Sequence, residues 1–230
     1  MSNRYVFLYA SAMVVIVALV LSSAATLLRP MQERNMRIEK MQNILAAINI
    51  QASRAEAETL FDRYITTAKI VNSLGEELEG DAFEVELQDE NRKDIPERQL
   101  PVYIAEVEGE TFFIVPLRGA GLWGPIWGYV GLRSDLVTIA GANFDHASET
   151  PGLGAEIADR EFQEQFTGKR IFDDAGNFRP VRVIKGRAAP DDPHAVDGIS
   201  GGTITSNGVT NMLRDGLKVY QSYFEKIRTS

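Results

Sequence analysis

Hydrophobic and polar positions change their rhythm four times along this chain. From Tyr5 to Leu28 the run YVFLYASAMVVIVALVLSSAATLL holds no charged residue, and an apolar run of that length predicts a helix able to cross the hydrocarbon layer of a membrane. A cleavable leader ending near Ser22-Ser23-Ala24 is the second reading, but the run is longer than a usual leader core, which favours a retained anchor. After it, Ile38, Met41, Ile44, Leu45, Ile48 and then Leu60, Phe61, Tyr64, Ile65 recur at spacings of three and four, which predicts helix from Met36 to Leu74. Gly75 and Gly80 close that pattern.

Beyond Gly80 the pattern becomes strand-like. Phe83 to Leu87, Val102 to Val107, Thr111 to Leu117 and Ile126 to Leu132 are rich in β-branched and aromatic residues and predict strands. Glu108-Gly109-Glu110 is the expected hairpin turn between two of them, so the pairing is expected to be antiparallel. A short helix is predicted over Ala158 to Phe166, a further strand over Val181 to Ile184, and a closing helix over Ser206 to Ile227. The expected class is α+β: a transmembrane anchor at 1–30, a helical connector at 31–80, and one domain with a mainly antiparallel sheet at 81–230.

Composition narrows the function. The chain has 230 residues, no cysteine and a net charge of −8. Thiol chemistry, disulfides and cysteine-ligated iron–sulfur clusters are therefore excluded. Five basic and two acidic residues lie in 1–40, so the remainder carries −11 against −8 for the whole. An acidic surface of that kind repels nucleic acid and suits contact with protein partners. By simple charge count, Arg29, Arg34, Arg37 and Lys40 after the apolar run would place the main domain in the cytoplasm. Glu33 and Glu39 among them weaken the count, and sidedness stays open on these grounds.

Two motifs invite chemistry they do not support. Gly119-Ala120-Gly121-Leu122-Trp123-Gly124 fits the dinucleotide-binding glycine pattern, but Pro125 and a strand-like stretch follow where a helix must start. A tight turn burying Trp123 and Trp127 is expected instead. Asp145, His146 and Glu149 resemble a partial metal set, yet three or four well-supported ligands are the rule, so a hydrogen-bonded turn is expected and no metal.

The segment Asp197-Gly198-Ile199-Ser200-Gly201-Gly202-Thr203-Ile204-Thr205 runs into the last helical pattern. Glycines let backbone approach an anion, and the first turn of a helix offers free N–H groups and a favourable dipole. The plain alternative is a Gly-rich turn in which Thr205 or Ser206 caps the helix. Upstream, Glu149-Thr150-Pro151-Gly152-Leu153-Gly154 combines a stiffening proline with glycines that expose main-chain donors, suited to a flat polar ring.

Together these stretches resemble the FMN-binding domain family. Asp197 to Thr203 is similar to its flavinylation motif Asp-x-x-Ser/Thr-Gly-Ala-Thr, with Gly202 in place of the usual alanine. Within that family the order GLWGPIWGYV, DHASETPGLGAEI, FTGKRIF and VDGISGGTITSNGV is most similar to the C subunits of sodium-translocating NADH:quinone reductases. The resemblance covers essentially the whole chain. It implies FMN joined by a phosphoester to Thr203, with Glu149, Thr150, Leu153, Gly154, Ser200, Gly201 and Thr205 around the cofactor. Lys185 is the candidate cation near the ring's pyrimidine edge.

The resemblance further implies a single-pass protein of the bacterial cytoplasmic (inner) membrane with its domain on the periplasmic side. A flavin transferase would load it, and the other subunits of a six-subunit complex would be its partners in passing electrons from NADH to ubiquinone with Na+ export. The chain itself shows no credible NADH or quinone site and no intramembrane charge for an ion path, so no turnover is expected from it alone. Alternatives are the G subunit of an Rnf-type electron-transport complex, a membrane-tethered flavin-binding sensor, and a structural assembly subunit without flavin.

Overall fold

The computed structural model describes residues 3–229. The chain divides into two compact units, residues 1–40 and 41–230. The first helix, α1 (Asn3–Ala46), begins in one and ends in the other, and runs through Pro30. It is long and apolar enough to cross a membrane, and among the described residues no other helix is. That length and composition fit a single-pass anchor.

In the second unit, α2 (Ala57–Tyr64) leads directly into β1 (Ile65–Val71), followed by β2 (Glu77–Leu78) and the single turn α3 (Leu87–Glu90). Three long strands come next: β3 (Leu100–Val107), β4 (Glu110–Ala120) and β5 (Pro125–Arg133). β6 (Ile139–His146) completes a six-stranded sheet in the order β2-β1-β3-β4-β5-β6, antiparallel throughout. Glu108 and Gly109 make the β3–β4 turn with φ of 52° and 86°, as the hairpin signal required. The chain then forms α4 (Arg160–Glu164), a parallel pair β7 (Arg182–Ile184) and β8 (Ala195–Asp197), and two closing helices, α5 (Thr203–Lys218) and α6 (Gln221–Thr229). This is the α+β fold with a mainly antiparallel sheet.

Three expectations need correction. Helix does not continue from Met36 to Leu74, because Ile65–Val71 is a strand. Thr66, Thr67, Ile70 and Val71 give it β-branched character that chance spacing with Leu60 and Phe61 concealed. Phe83 to Leu87 is turn and helix start, not strand. Phe83 instead packs edge-on against Phe61 and Tyr103, with centroids 5.8 and 6.4 Å apart. The closing helix starts three residues before Ser206 and breaks at Val219 and Tyr220 into α5 and α6.

Side-chain alternation gives the sheet two buried faces. Ile44 near the end of α1 and Ala47 and Ile48 in the turn after it cover one, against Tyr103, Ile114 and Tyr129. Val209, Met212, Leu213 and Leu217 of α5 cover the other, against Val102, Val115, Leu117 and Val130. The second contact is unusually close. A Cβ on Gly208 would strike the carbonyl oxygen of Ala120, and one on Gly119 would lie 2.8 Å from Met212 Cβ. Glycine at these two positions lets α5 lie directly on the end of β4, which brings its first turn beside the β4–β5 loop.

Candidate functional site

The first turn of α5, the β4–β5 loop and the loop after β6 surround a cleft of about 440 Å³. Gly121 N–H donates to the Gly124 carbonyl across 2.8 Å, closing the β4–β5 loop as a tight turn that runs straight into β5. No helix starts at those glycines. Trp123, however, is 65% exposed and lines the cleft, so the expectation that the turn buries it is wrong. Leu122, Leu153 and Ile204 are also exposed and line the same space. Four large apolar side chains thus meet around one opening.

Glu149 ties the three walls together. It is 5% exposed, accepts the Thr205 hydroxyl on Oε2 at 2.6 Å and accepts Trp123 N–H on Oε1 at 2.8 Å. Burial alone would raise its pKa, but the Thr205 hydroxyl and the backbone N–H groups of Trp123 and Leu122 outweigh burial and hold the carboxyl below its ordinary value. Cβ atoms on Gly121 and Gly154 would each strike a carboxylate oxygen of Glu149, and the one on Gly154 would also strike Thr205 Oγ1. The two glycines make room for the buried carboxylate.

The expected site residues separate into two groups. Glu149, Thr150, Leu153, Gly154, Gly201, Thr203 and Thr205 all line the cleft. Thr203 is exposed and is the first residue of α5. Gly201 has a φ of 74°, and Gly202, the helix's N-cap residue, makes no side-chain cap. Neither Thr205 nor Ser206 caps the helix: Thr205 binds Glu149, and Ser206 Oγ accepts Ile199 N–H at 3.3 Å. A Cβ on Gly202 would lie 2.9 Å from Ile199 Cγ2, so the glycine found where the motif usually has alanine suits the neighbouring isoleucine.

Ser200 and Lys185 fall outside the group. Ser200 sits in an exposed turn, and Lys185 lies exposed just beyond the end of β7. Neither lines the cleft. Asp145 accepts His146 N–H at 2.7 Å, and His146 Nδ1 accepts Glu149 N–H at 3.2 Å, which is the hydrogen-bonded turn that the sequence suggested. Among the described residues no group of His, Asp or Glu is arranged to hold a metal ion. Leu122, Trp123 and Ile204 were missed as site residues. The signal for the tryptophan was its place in a turn too tight to bury it.

Residues 121–218 match the model of the FMN-binding domain, and these residues contain the whole cleft. The C subunit of the Na(+)-translocating NADH-quinone reductase of Pseudomonas aeruginosa is 32% identical, over 98% of this chain and 97% of the relative. That of Yersinia pestis is 33% identical over 84% and 80%. Among solved structures, the C subunit from Parabacteroides distasonis superposes with a TM-score of 0.79 at 46% identity, covering 86% of this chain and 96% of that one. Shewanella oneidensis NqrC superposes at 0.74 with 27% identity, covering 84% of this chain and 98% of that one. At 32% identity over almost the whole length of both chains, this chain belongs to the NqrC family, the C subunits of the Na(+)-translocating NADH-quinone reductases.

Proposed function

We propose that this chain is a one-electron-transfer flavoprotein subunit whose FMN is joined through its phosphate to Thr203 Oγ1. The observation that carries this is the position of Thr203: an exposed residue that lines the cleft, it is the first residue of a 16-residue helix. The first N–H groups of a helix have no partner within it and favour an anion. Among the residues lining the cleft there is no Lys, Arg or His. A phosphodiester carries one charge fewer than a free phosphate monoester, so the helix start suffices where a monoester would call for a cation.

The remaining lining fits an isoalloxazine. Trp123, Leu122, Leu153 and Ile204 offer apolar surface to a flat ring, and the 149–154 loop offers main-chain donors and acceptors to its rim. When bound, FMN supplies the electron-accepting and electron-donating chemistry. The protein's own residues keep the ring in place, limit its contact with water and hold the loops that bear on it. Glu149 and Thr205 belong to the cleft lining as a buried hydrogen-bonded pair and steady those loops.

In this reading the flavin is one link in a relay within a membrane complex that oxidises NADH, reduces ubiquinone and exports Na+. A single-pass anchor, a periplasmic domain, five partner subunits and a flavin transferase that loads Thr203 belong to the same proposal; the relatives' names support a place among the subunits of a Na(+)-translocating NADH-quinone reductase, and the motif resemblance supplies the rest. The test is to co-express the chain with an exported flavin transferase, denature it and measure intact mass and in-gel flavin fluorescence beside Thr203→Ala. A gain of FMN less water in the parent chain and none in the variant supports the linkage. Retained covalent flavin in the variant, or an unlabelled parent beside a labelled control protein, overturns it.

A further inference from the structure

A second concavity of about 520 Å³ lies along the middle and end of α5, away from the first turn that bears Thr203. Phe178, Pro180 and Val181 line it, with Thr210 from the helix. Around them stand Arg179, Arg182, Arg214 and Lys218, with Asp215 the one acidic lining residue. Arg214 and Asp215 pair with each other through two contacts of 2.8 Å. Among the described residues, Arg179, Arg182 and Lys218 form no ion pair within 4.0 Å. Four cations and one acid thus line one hollow on a chain whose net charge is −8; Asp173 lies within electrostatic reach of Arg179 and Asp215 within reach of Lys218, and an excess of positive charge remains.

The elements put them there for a reason that folding does not supply. Thr210, Arg214 and Lys218 recur every four residues along one stripe of α5, and Arg182 points outward between buried Val181 and Val183. The stripe needs no cation to pack. Clustered like charges repel in the free protein, and an anion across the hollow relieves that repulsion. Guanidinium forks match carboxylate and phosphate alike. The donors separate the two. Phosphate seats gather backbone N–H groups or a helix start, whereas this hollow lies along the body of α5 and the Thr210 hydroxyl is taken up by Val183 N–H at 2.9 Å.

We infer that this hollow is the docking site for an acidic segment of a neighbouring protein subunit, whose carboxylates meet Arg179, Arg182 and Lys218 while an apolar residue rests on Phe178 and Val181. The inference rests on the proposed place of the chain in a multi-subunit complex, but not on the flavin. Lying down the same helix, the hollow would hold that partner roughly 16 Å along α5 from Thr203, at ~1.5 Å per residue to Arg214. An acidic surface elsewhere on the domain would repel the same partner, so charge also fixes the docking orientation.

The test uses the purified full chain in detergent and a fluorescein-labelled peptide of glutamates around a single leucine, read by anisotropy. Binding that weakens with added salt and falls on the order of tenfold or more in Arg179→Glu/Arg182→Glu/Lys218→Glu supports the site. Retained binding in Arg179→Lys/Arg182→Lys supports it further. The triple variant should unfold at the parent temperature and take up flavin like the parent, which separates this outcome from failure of the Thr203 reading. Absence of peptide binding, binding indifferent to the substitutions, or equal displacement by inorganic phosphate overturns the inference. So does a salt-sensitive homodimer abolished by the same changes, because the occupant would then be a second copy of the chain.

Discussion

Removing the Glu149 carboxylate tests whether it, and not the apolar lining, holds the cleft in shape. In Glu149→Ala the Thr205 hydroxyl, 1% exposed, loses the acceptor it meets at 2.6 Å. Leaving a buried hydroxyl unsatisfied costs about 1–3 kcal/mol. The N–H groups of Leu122 and Trp123 also lose a charged acceptor, though both residues are exposed and water reaches them. Together these losses come to about 2–4 kcal/mol. For a domain of this size that lowers the unfolding temperature by about 5–15 °C. Glu149→Gln keeps one acceptor oxygen and sets an amide N–H against one donor, for about half the effect. The decisive comparison adds Thr205→Val. In the alanine background this change replaces an orphaned hydroxyl with a methyl group and should recover part of the loss, whereas in the parent it should destabilise by about 1–2 kcal/mol. Circular dichroism melts of the four proteins measure the cycle. An unfolding temperature for Glu149→Ala within about 1 °C of the parent, or costs that simply add, would refute the tie.

Three further outcomes follow from the same structure. The folded-state pKa of Glu149 lies below its ordinary value of 4.5, because its hydrogen bonds outweigh burial, and that of Asp135 lies below 3.8 because Thr138 and Val137 outweigh burial in the same way. A lowered folded pKa contributes stability that is complete above the ordinary value and disappears as pH falls through the folded one. Urea midpoints should therefore hold from neutral pH to about 5 and fall below about 4.5, with a shallower fall in Glu149→Gln. Gly154→Ala forces a methyl group against Glu149 and Thr205; it should destabilise by about 1–3 kcal/mol and reduce flavin loading at Thr203, with intact mass as the readout. Tyr223 is buried and its hydroxyl has no partner among the described residues; Tyr223→Phe should raise the unfolding temperature, by up to about 3 °C, and a fall would mean that the hydroxyl has a use.

The parts of the fold that were legible in the sequence are those where one period acts alone. The apolar run, the strands flanking Glu108-Gly109 and the α5 stripe of Val209, Met212, Leu213 and Leu217 each follow one rhythm, and each is found. Ile65–Val71 was not legible, because helix α2 runs into it without a break and a three-and-four spacing continues across the junction. β6 was not legible either. Its Gly141 and Ala142 look like breakers or helix formers, and glycine is needed because a Cβ on Gly141 would lie 2.8 Å from the Ala47 carbonyl oxygen. Tertiary contact decides such positions, and local preference does not.

The site fails to show itself for a different reason. A side chain that faces a cofactor is chosen by the same hydrophobic preference that fills a core, so Trp123 reads as buried until its exposure is seen beside Leu122, Leu153 and Ile204. The reverse holds for Glu149 and Thr205. Their polarity suggests ligand contact, and in the cleft wall their hydroxyl and carboxylate are closed on each other at 2.6 Å. Polarity and apolarity have changed places. An apolar residue that folding leaves exposed in a cleft points to a ligand surface, and a polar residue that folding buries with its partner points to the frame that holds that surface still. Thr203 needs both: the exposed quartet beside it gives a ring something to lie on, and the buried pair in the cleft wall keeps the helix start and the two loops in register.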